Sequence, residues 1–179
     1  RESFKLSGWI MNPYNRMTIK RDGTGPVVGD AAEKHFRDML ALHEKLFLWT
    51  AEDKGDFDFI TITDFFGETF TIDVKCKERK KRHSVQDDAH VTQAQQDHEV
   101  DAYFFYSGIS DDNQQYGFDL KPMGWCMKDE FWKEAKRVKE GDVDGVYRER
   151  ADAGKLKYEA LRHPDDLLMH LQGRDDADV

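Results

Sequence analysis

Residues 56–77 read DFDFITITDFFGETFTIDVKCK, and the fold follows from how this run is divided. The segments 56–63 (DFDFITIT) and 69–77 (TFTIDVKCK) are rich in β-branched and aromatic residues, which suit a pleated, half-buried surface. Between them, DFFGE (64–68) supplies a turn around Gly67, so the pair predicts a hairpin. In the second strand, alternation sets Phe70, Ile72 and Val74 on one face. Asp73 and Lys75 then stand side by side on the other. Such a pair is by itself an ordinary solvated pair, worth little. Asp58 changes its meaning, because the hairpin carries a second carboxylate toward Asp73. Two close carboxylates repel unless a cation lies between them. Asp56 has the same strand parity and stays an alternative; Asp58 is preferred because it abuts the apolar run.

Working outward, Ala32, Phe36, Met39, Leu40, His43, Leu46 and Phe47 recur at helical spacing and predict a helix over 31–46, with Asp30 as its N-cap. Glu33 has two readings there. It closes a capping box with Asp30, or it borders the apolar stripe and reaches a site at the edge of the sheet. LFLWTAED (46–53) supplies a first strand. Residues 1–29 are an arm followed by a Gly-rich loop, and 78–88 a charged loop. A helix is expected over 89–100 and a buried strand over 101–108. Beyond lie a strand-like run (116–127), a helix (128–139), a short strand near 155–161, a helix opening at Pro164 and a tail at 174–179. The expected order is helix, three strands, helix, strand: one mixed α/β domain over 1–179, with its core at 30–108 and C-terminal additions at 109–173.

The chain has 179 residues, 39% of them hydrophobic, enough for one core. No run approaches the roughly 20 apolar residues of a membrane span, and no signal-peptide pattern opens the sequence. The net charge of −9 argues against passive nucleic-acid binding on a basic surface. It leaves room for an enzyme whose carboxylates hold cations. CKERKKRH (76–83) carries five Lys/Arg against one Glu. There Lys77, Arg79, Lys80, Lys81 and Arg82 are candidate phosphate contacts, with a solvated loop as the ordinary alternative. Cys76 and Cys126 lack metal-ligand spacing and read as free thiols. His83, His90 and His98 read as surface or packing groups, and Trp125, Phe131 and Trp132 as core.

The pattern [DE]-x-K occurs at 52–54, 73–75, 119–121 and 134–136, so context must choose among them. The first lies in a polar turn. The last lies in a helix, where residues two apart diverge. The third has its upstream acids, Asp111 and Asp112, in a turn. Only Asp73-Val74-Lys75 follows a strand bearing an acid.

An acid on the first helix, then GDFDFI, then IDVKC after a turn resembles the PD-(D/E)XK (restriction-endonuclease-like) nuclease superfamily, which includes small phage and bacterial nucleases. The proline of that motif is absent; Gly55-Asp56 and Phe57-Asp58 stand in its place. The interval of 15 residues from Asp58 to Asp73 fits the hairpin. GWCMKDEFWKEAKRV and YEALRHPDDLLMHL also resemble the tails of small members, while the main resemblance covers about 30–108. It implies a restriction-endonuclease-like core, αβββαβ around a central mixed sheet, and a Mg²⁺-dependent DNA endonuclease. Mg²⁺, with Mn²⁺ as a substitute, would be held by Asp58, Asp73 and the carbonyl of Val74. Glu33 would hold a second metal or an outer water, and Lys75 would position or deprotonate the attacking water. Gln93 or Gln96 would serve as the glutamine that members often carry on the next helix. The products would bear 5′-phosphate and 3′-hydroxyl ends. DNA is the implied partner, with a homodimer or a partner protein compatible with the acidic charge, and no membrane. The setting would be the cytoplasm of a bacterial or phage-infected cell. The alternative is a catalytically inactive nuclease-fold protein serving as a nucleic-acid-binding or assembly module.

Overall fold

In the computed structural model, residues 27–41, 47–50, 58–62, 69–144 and 147–171 are described. The expected arm (1–19), most of the glycine-rich loop, Gly67 with its turn, and the tail lie outside them. The elements are α1 (Val28–Ala41), β1 (Phe47–Thr50), β2 (Phe59–Ile62), β3 (Thr69–Arg79), β4 (Asp88–Thr92), β5 (Ala102–Ser110), β6 (Phe118–Met127), α2 (Lys128–Glu134), β7 (Lys136–Val138), β8 (Val143–Asp144), β9 (Tyr147–Arg148), β10 (Ala153–Lys157) and α3 (Pro164–Leu171). Short 3-10 turns follow β4 (Gln93–Gln95) and β10 (Tyr158–Ala160).

The protein is a mixed α/β fold. Its main sheet has the order β1-β2-β3-β5-β6, with β3 and β5 parallel and the other pairs antiparallel. The expected hairpin is present, pairing Phe59 with Ile72 and Ile62 with Thr69. Alternation along β5 builds two cores. Ala102, Phe104 and Tyr106 face Phe36 and Leu40 of α1 and Leu167 and Leu171 of α3. Tyr103 and Phe105 face the opposite way, onto Phe131, Trp132, Ala89 and Val91. Five consecutive buried residues, Ala102–Tyr106, therefore serve both faces of the sheet. Trp125, Phe131 and Trp132 are core residues, as the sequence suggested.

The helix expected over 89–100 is not there. Residues 88–92 form β4 instead, because Ala89 and Val91 alternate with polar neighbours and bury one face. β4 joins a second sheet, ordered β4-β10-β7, whose central strand arrives some sixty residues later. The αβββαβ expectation thus fails at its second helix: a strand and a 3-10 turn carry the crossover from β3 to the parallel β5. Two helix limits also move. α1 begins at Val28, which puts Asp30 inside its first turn rather than at the cap, and Phe47 belongs to β1. α2 ends at Glu134, since extended backbone at Ala135 turns the chain into β7 and buries Val138. Among the described residues, no helix is long and apolar enough to cross a membrane.

Gly124 marks an irregularity in β6, where the register against β5 slips between Phe105 and Tyr106. Its φ is +149°, and an added Cβ would lie 2.6 Å from both the Arg162 carbonyl oxygen and Leu161 Cβ. That closeness lets Trp125 exchange backbone hydrogen bonds of 3.1 and 3.0 Å with Arg162, tying α3 to the sheet. Gly124→Ala is expected to destabilise the fold by about 2–3 kcal/mol through backbone strain and overlap. Urea unfolding measures it, and a midpoint equal to that of the unsubstituted protein would contradict this account.

Candidate active site

β2 and β3 part company at Asp58. Its N–H still donates to the Ile72 carbonyl at 3.1 Å, but the next ladder position is filled by a side chain. Oδ2 of Asp58 accepts the Val74 N–H at 2.7 Å. A carboxylate has thus replaced a backbone carbonyl in the sheet, which fixes its orientation. At the other end, the Asp101 carboxylate accepts hydrogen bonds from the Thr71 N–H and hydroxyl at 2.8 and 3.0 Å, holding the start of β3 against β5.

On β3 the expected alternation holds. Ile72 and Val74 enter the α1 core, while Asp73 and Lys75 point the other way. Lys75 Nζ lies 2.6 Å from Asp73 Oδ2, with Asp73 only 4% exposed. The Asp58 carboxyl, seated on the N–H of Val74 next to Asp73 in β3, is close enough for the charge of Asp73 to help raise its pKa. Glu33 sits in the second turn of α1, within electrostatic reach of Asp30, Asp58, Asp73 and Lys75. With Asp30 helical, the capping-box reading of Glu33 falls away.

The electrostatics follow from crowding. Burial, then the charges of Asp30 and Asp73, raises the Glu33 carboxyl to about 7, against partial relief from Lys75 and Arg37. Burial, then Glu33 and Asp73, raises Asp58 well above the usual aspartate range; the Val74 N–H opposes this. Three acids lie near one ammonium at partly buried positions, and their mutual repulsion favours the protonated forms of Glu33 and Asp58. The donor set is all oxygen, which suits a hard divalent ion. Among the described residues, no group of three or more His, Cys, Asp or Glu side chains is placed to hold a metal ion.

The other sequence candidates separate. Asp56 and the 52–54 motif lie outside the described residues. Asp119 accepts a 3.0 Å hydrogen bond from His83 Nε2, far from a second acid-bearing strand. Gln93 and Gln96, without their helix, both accept hydrogen bonds from the Arg137 guanidinium. Arg79 is committed within the fold: its guanidinium donates to the Asp88 carbonyl at 2.9 Å and lies 3.6 Å from Asp87. Lys80, Lys81 and Arg82 are exposed on the loop after β3, and Lys77 is half-buried.

Two constellations escaped the sequence. Ser107, His83 and Asp119 form a relay, with His83 Nδ1 2.8 Å from Ser107 Oγ and Nε2 3.0 Å from Asp119. It resembles a hydrolase triad, yet Ser107 is fully buried, so its hydroxyl cannot meet a substrate. It pins the basic loop to β5 and β6. The second joins His90, Glu149 and Lys155. Glu149 is 3% exposed, ion-paired with Lys155 and 3.3 Å from His90 Nε2. Lys155 and His90 outweigh burial and hold that carboxyl below its usual range. The signal in the sequence was slight: Lys155 stands between Gly154 and Leu156 in a short strand, AGKLK.

No protein-family model matches the chain, and no curated protein matches it.

Proposed function

We propose that this protein is a metal-dependent nuclease that hydrolyses phosphodiester bonds in DNA, on a restriction-endonuclease-like core. The observation that carries the reading is the Asp58 carboxylate held at 2.7 Å on the N–H of Val74, the residue between Asp73 and Lys75, with the Lys75 ammonium held against Asp73. The antiparallel β2–β3 hairpin, the parallel β3–β5 pair and the packing of α1 on that sheet support it as well. β4 departs from the usual plan, since it stands where a helix is expected.

Asp58, Asp73 and the Val74 carbonyl would hold Mg²⁺, with Glu33 at a second ion or an outer water. The ion, when bound, polarises the phosphoryl oxygens and lowers the pKa of a coordinated water. Lys75 has its ammonium anchored by Asp73, so its remaining N–H bonds are free to orient the attacking water and to meet negative charge growing on the phosphate. Asp58 keeps its orientation because Val74 N–H fixes Oδ2. Glu33 carries its proton up to about pH 7 and then becomes a second anionic oxygen donor.

The test is incubation of the protein with supercoiled plasmid and with single-stranded DNA in Mg²⁺, Mn²⁺ or EDTA. Cleavage in either metal and none in EDTA is expected. Tight Mn²⁺ binding without hydrolysis of any nucleic acid would favour the non-catalytic alternative.

A further inference from the structure

Beyond Lys75, β3 carries its cationic face on to Lys77, and a cavity of about 190 Å³ opens over that row. Its walls are Lys75 and Lys77 of β3, Phe105 of β5, His90 of β4, Tyr147 of β9 and Tyr158 of the turn after β10. Glu149 is already engaged here, by Lys155 through an ion pair and by His90 Nε2 through a hydrogen bond. Lys77 is left over. It is half-buried, and among the described residues no carboxylate comes within ion-pair distance of its ammonium; Glu149 and Asp88 act on it only from further away. What Lys77 does meet is the Tyr147 ring, 4.8 Å from Nζ to the centroid. Lys155 lies 5.6 Å from the same ring. Burial, Arg79 and Lys155 all depress the Lys77 pKa, so its charge is held at a cost that an incoming anion would relieve.

We propose that this cavity is a phosphate subsite, in which the Lys77 ammonium takes the phosphate one nucleotide step from the one at Lys75, with the outer face of Tyr147 stacking the attached base. The assignment of the Lys75 phosphate as the scissile one rests on the nuclease reading; the subsite itself rests on the cavity. Lys75 and Lys77 project from the same face of β3, about 6.6 Å apart along it, comparable with one step of an extended single strand. The volume of about 190 Å³ is below the roughly 300 Å³ at which pockets begin to enclose drug-sized ligands. It therefore accepts a phosphoryl group and part of its sugar, not a base pair. Tyr147 is 39% exposed, which leaves ring surface for stacking. The substrate class at this subsite is an unpaired strand.

The experiment measures binding of fluorescent single-stranded hexanucleotides, with 5′-phosphate or 5′-hydroxyl, in EDTA. Lys77→Gln should weaken binding roughly tenfold, as expected for one charge-assisted contact, and flatten the slope of log affinity against log salt by about 0.7. Tyr147→Ala should also cost roughly tenfold. Lys77→Arg should retain most of the affinity, and Lys133→Gln, on the exposed side of α2, all of it. A loss confined to the 5′-phosphorylated strand identifies a terminal phosphate, and an equal loss on both identifies an internal diester; either supports the subsite. Protection of Lys77 from reductive methylation by the oligonucleotide gives the same reading on the unsubstituted protein. Affinity within twofold for Lys77→Gln, or an unprotected Lys77, overturns it. A protein that binds through Lys77 yet cleaves nothing with Mg²⁺ sinks the nuclease reading alone. One that cleaves while its binding ignores Lys77 sinks the subsite alone.

Discussion

Asp73→Asn is expected to abolish Mg²⁺-dependent cleavage, by at least about a thousandfold, while leaving the fold intact. The figure corresponds to roughly 4 kcal/mol of lost transition-state stabilisation, the scale seen when one preorganised electrostatic group is removed. Asparagine has the same shape and keeps an oxygen for Lys75, so packing is preserved. It removes the charge that pairs with Lys75 and that repels Asp58 and Glu33. The metal-free variant should therefore melt no lower than the unsubstituted protein. Lys75→Ala is expected to lose activity on the same scale and, unlike Asp73→Asn, to lose stability, because it leaves three acids without their cation. A plasmid-nicking assay beside a thermal melt reads both. Full activity in either variant would end the proposed mechanism.

The second large effect concerns metal-free stability and pH. Glu33 titrates near 7 in the folded chain, against a reference of 4.5. The folded state therefore holds this proton more tightly than the unfolded state does. Below pH 4.5 the carboxyl is protonated in both states and costs nothing. As pH rises toward 7, the unfolded chain ionises first and stability falls; above about 7 the loss is complete. The interval is worth about 3 kcal/mol. Burial lowers the pKa values of His35 and His90, which act in the opposite sense at acid pH. The clean measurement is therefore the difference between Glu33→Gln and the unsubstituted protein, both in EDTA. That difference should widen in favour of the variant by about 3 kcal/mol between pH 4.5 and 8. Saturating Mg²⁺ at pH 8 should shrink it, since a cation then supplies what the proton did. A pH-independent difference would mean that Glu33 is not held among the acids.

The parts of this arrangement that could be read from the chain alone were the local ones. β3 announces itself through strict alternation, and that alternation sets Asp73 and Lys75 on one face before any partner is known. Asp58 was preferred over the parity-matched Asp56 only because it abuts the apolar run, and Asp56 lies outside the described residues. β4 was misread as a helix. Its two apolar residues, Ala89 and Val91, stand before a polar, glutamine-rich run that suits a helix, and the strand exists because β10 lends it a ladder. Propensity gave way to a distant partner. His90 and Glu149 are 59 positions apart in the chain, so nothing in either neighbourhood foretold their bond.

The pairing of β4 with β10 also orders events during synthesis. Every strand of the main sheet has left the ribosome once Met127 has emerged, so the acidic hairpin can form while the chain is still growing. Tyr103, Phe105 and Met123 then have only the partial cover of α2 and an unpaired β4 until Ala153–Lys157 arrives to pair with β4. Long-range pairing of this kind slows folding and leaves apolar surface open to other nascent chains. A chain halted between these two points would own its acidic residues yet be prone to aggregate.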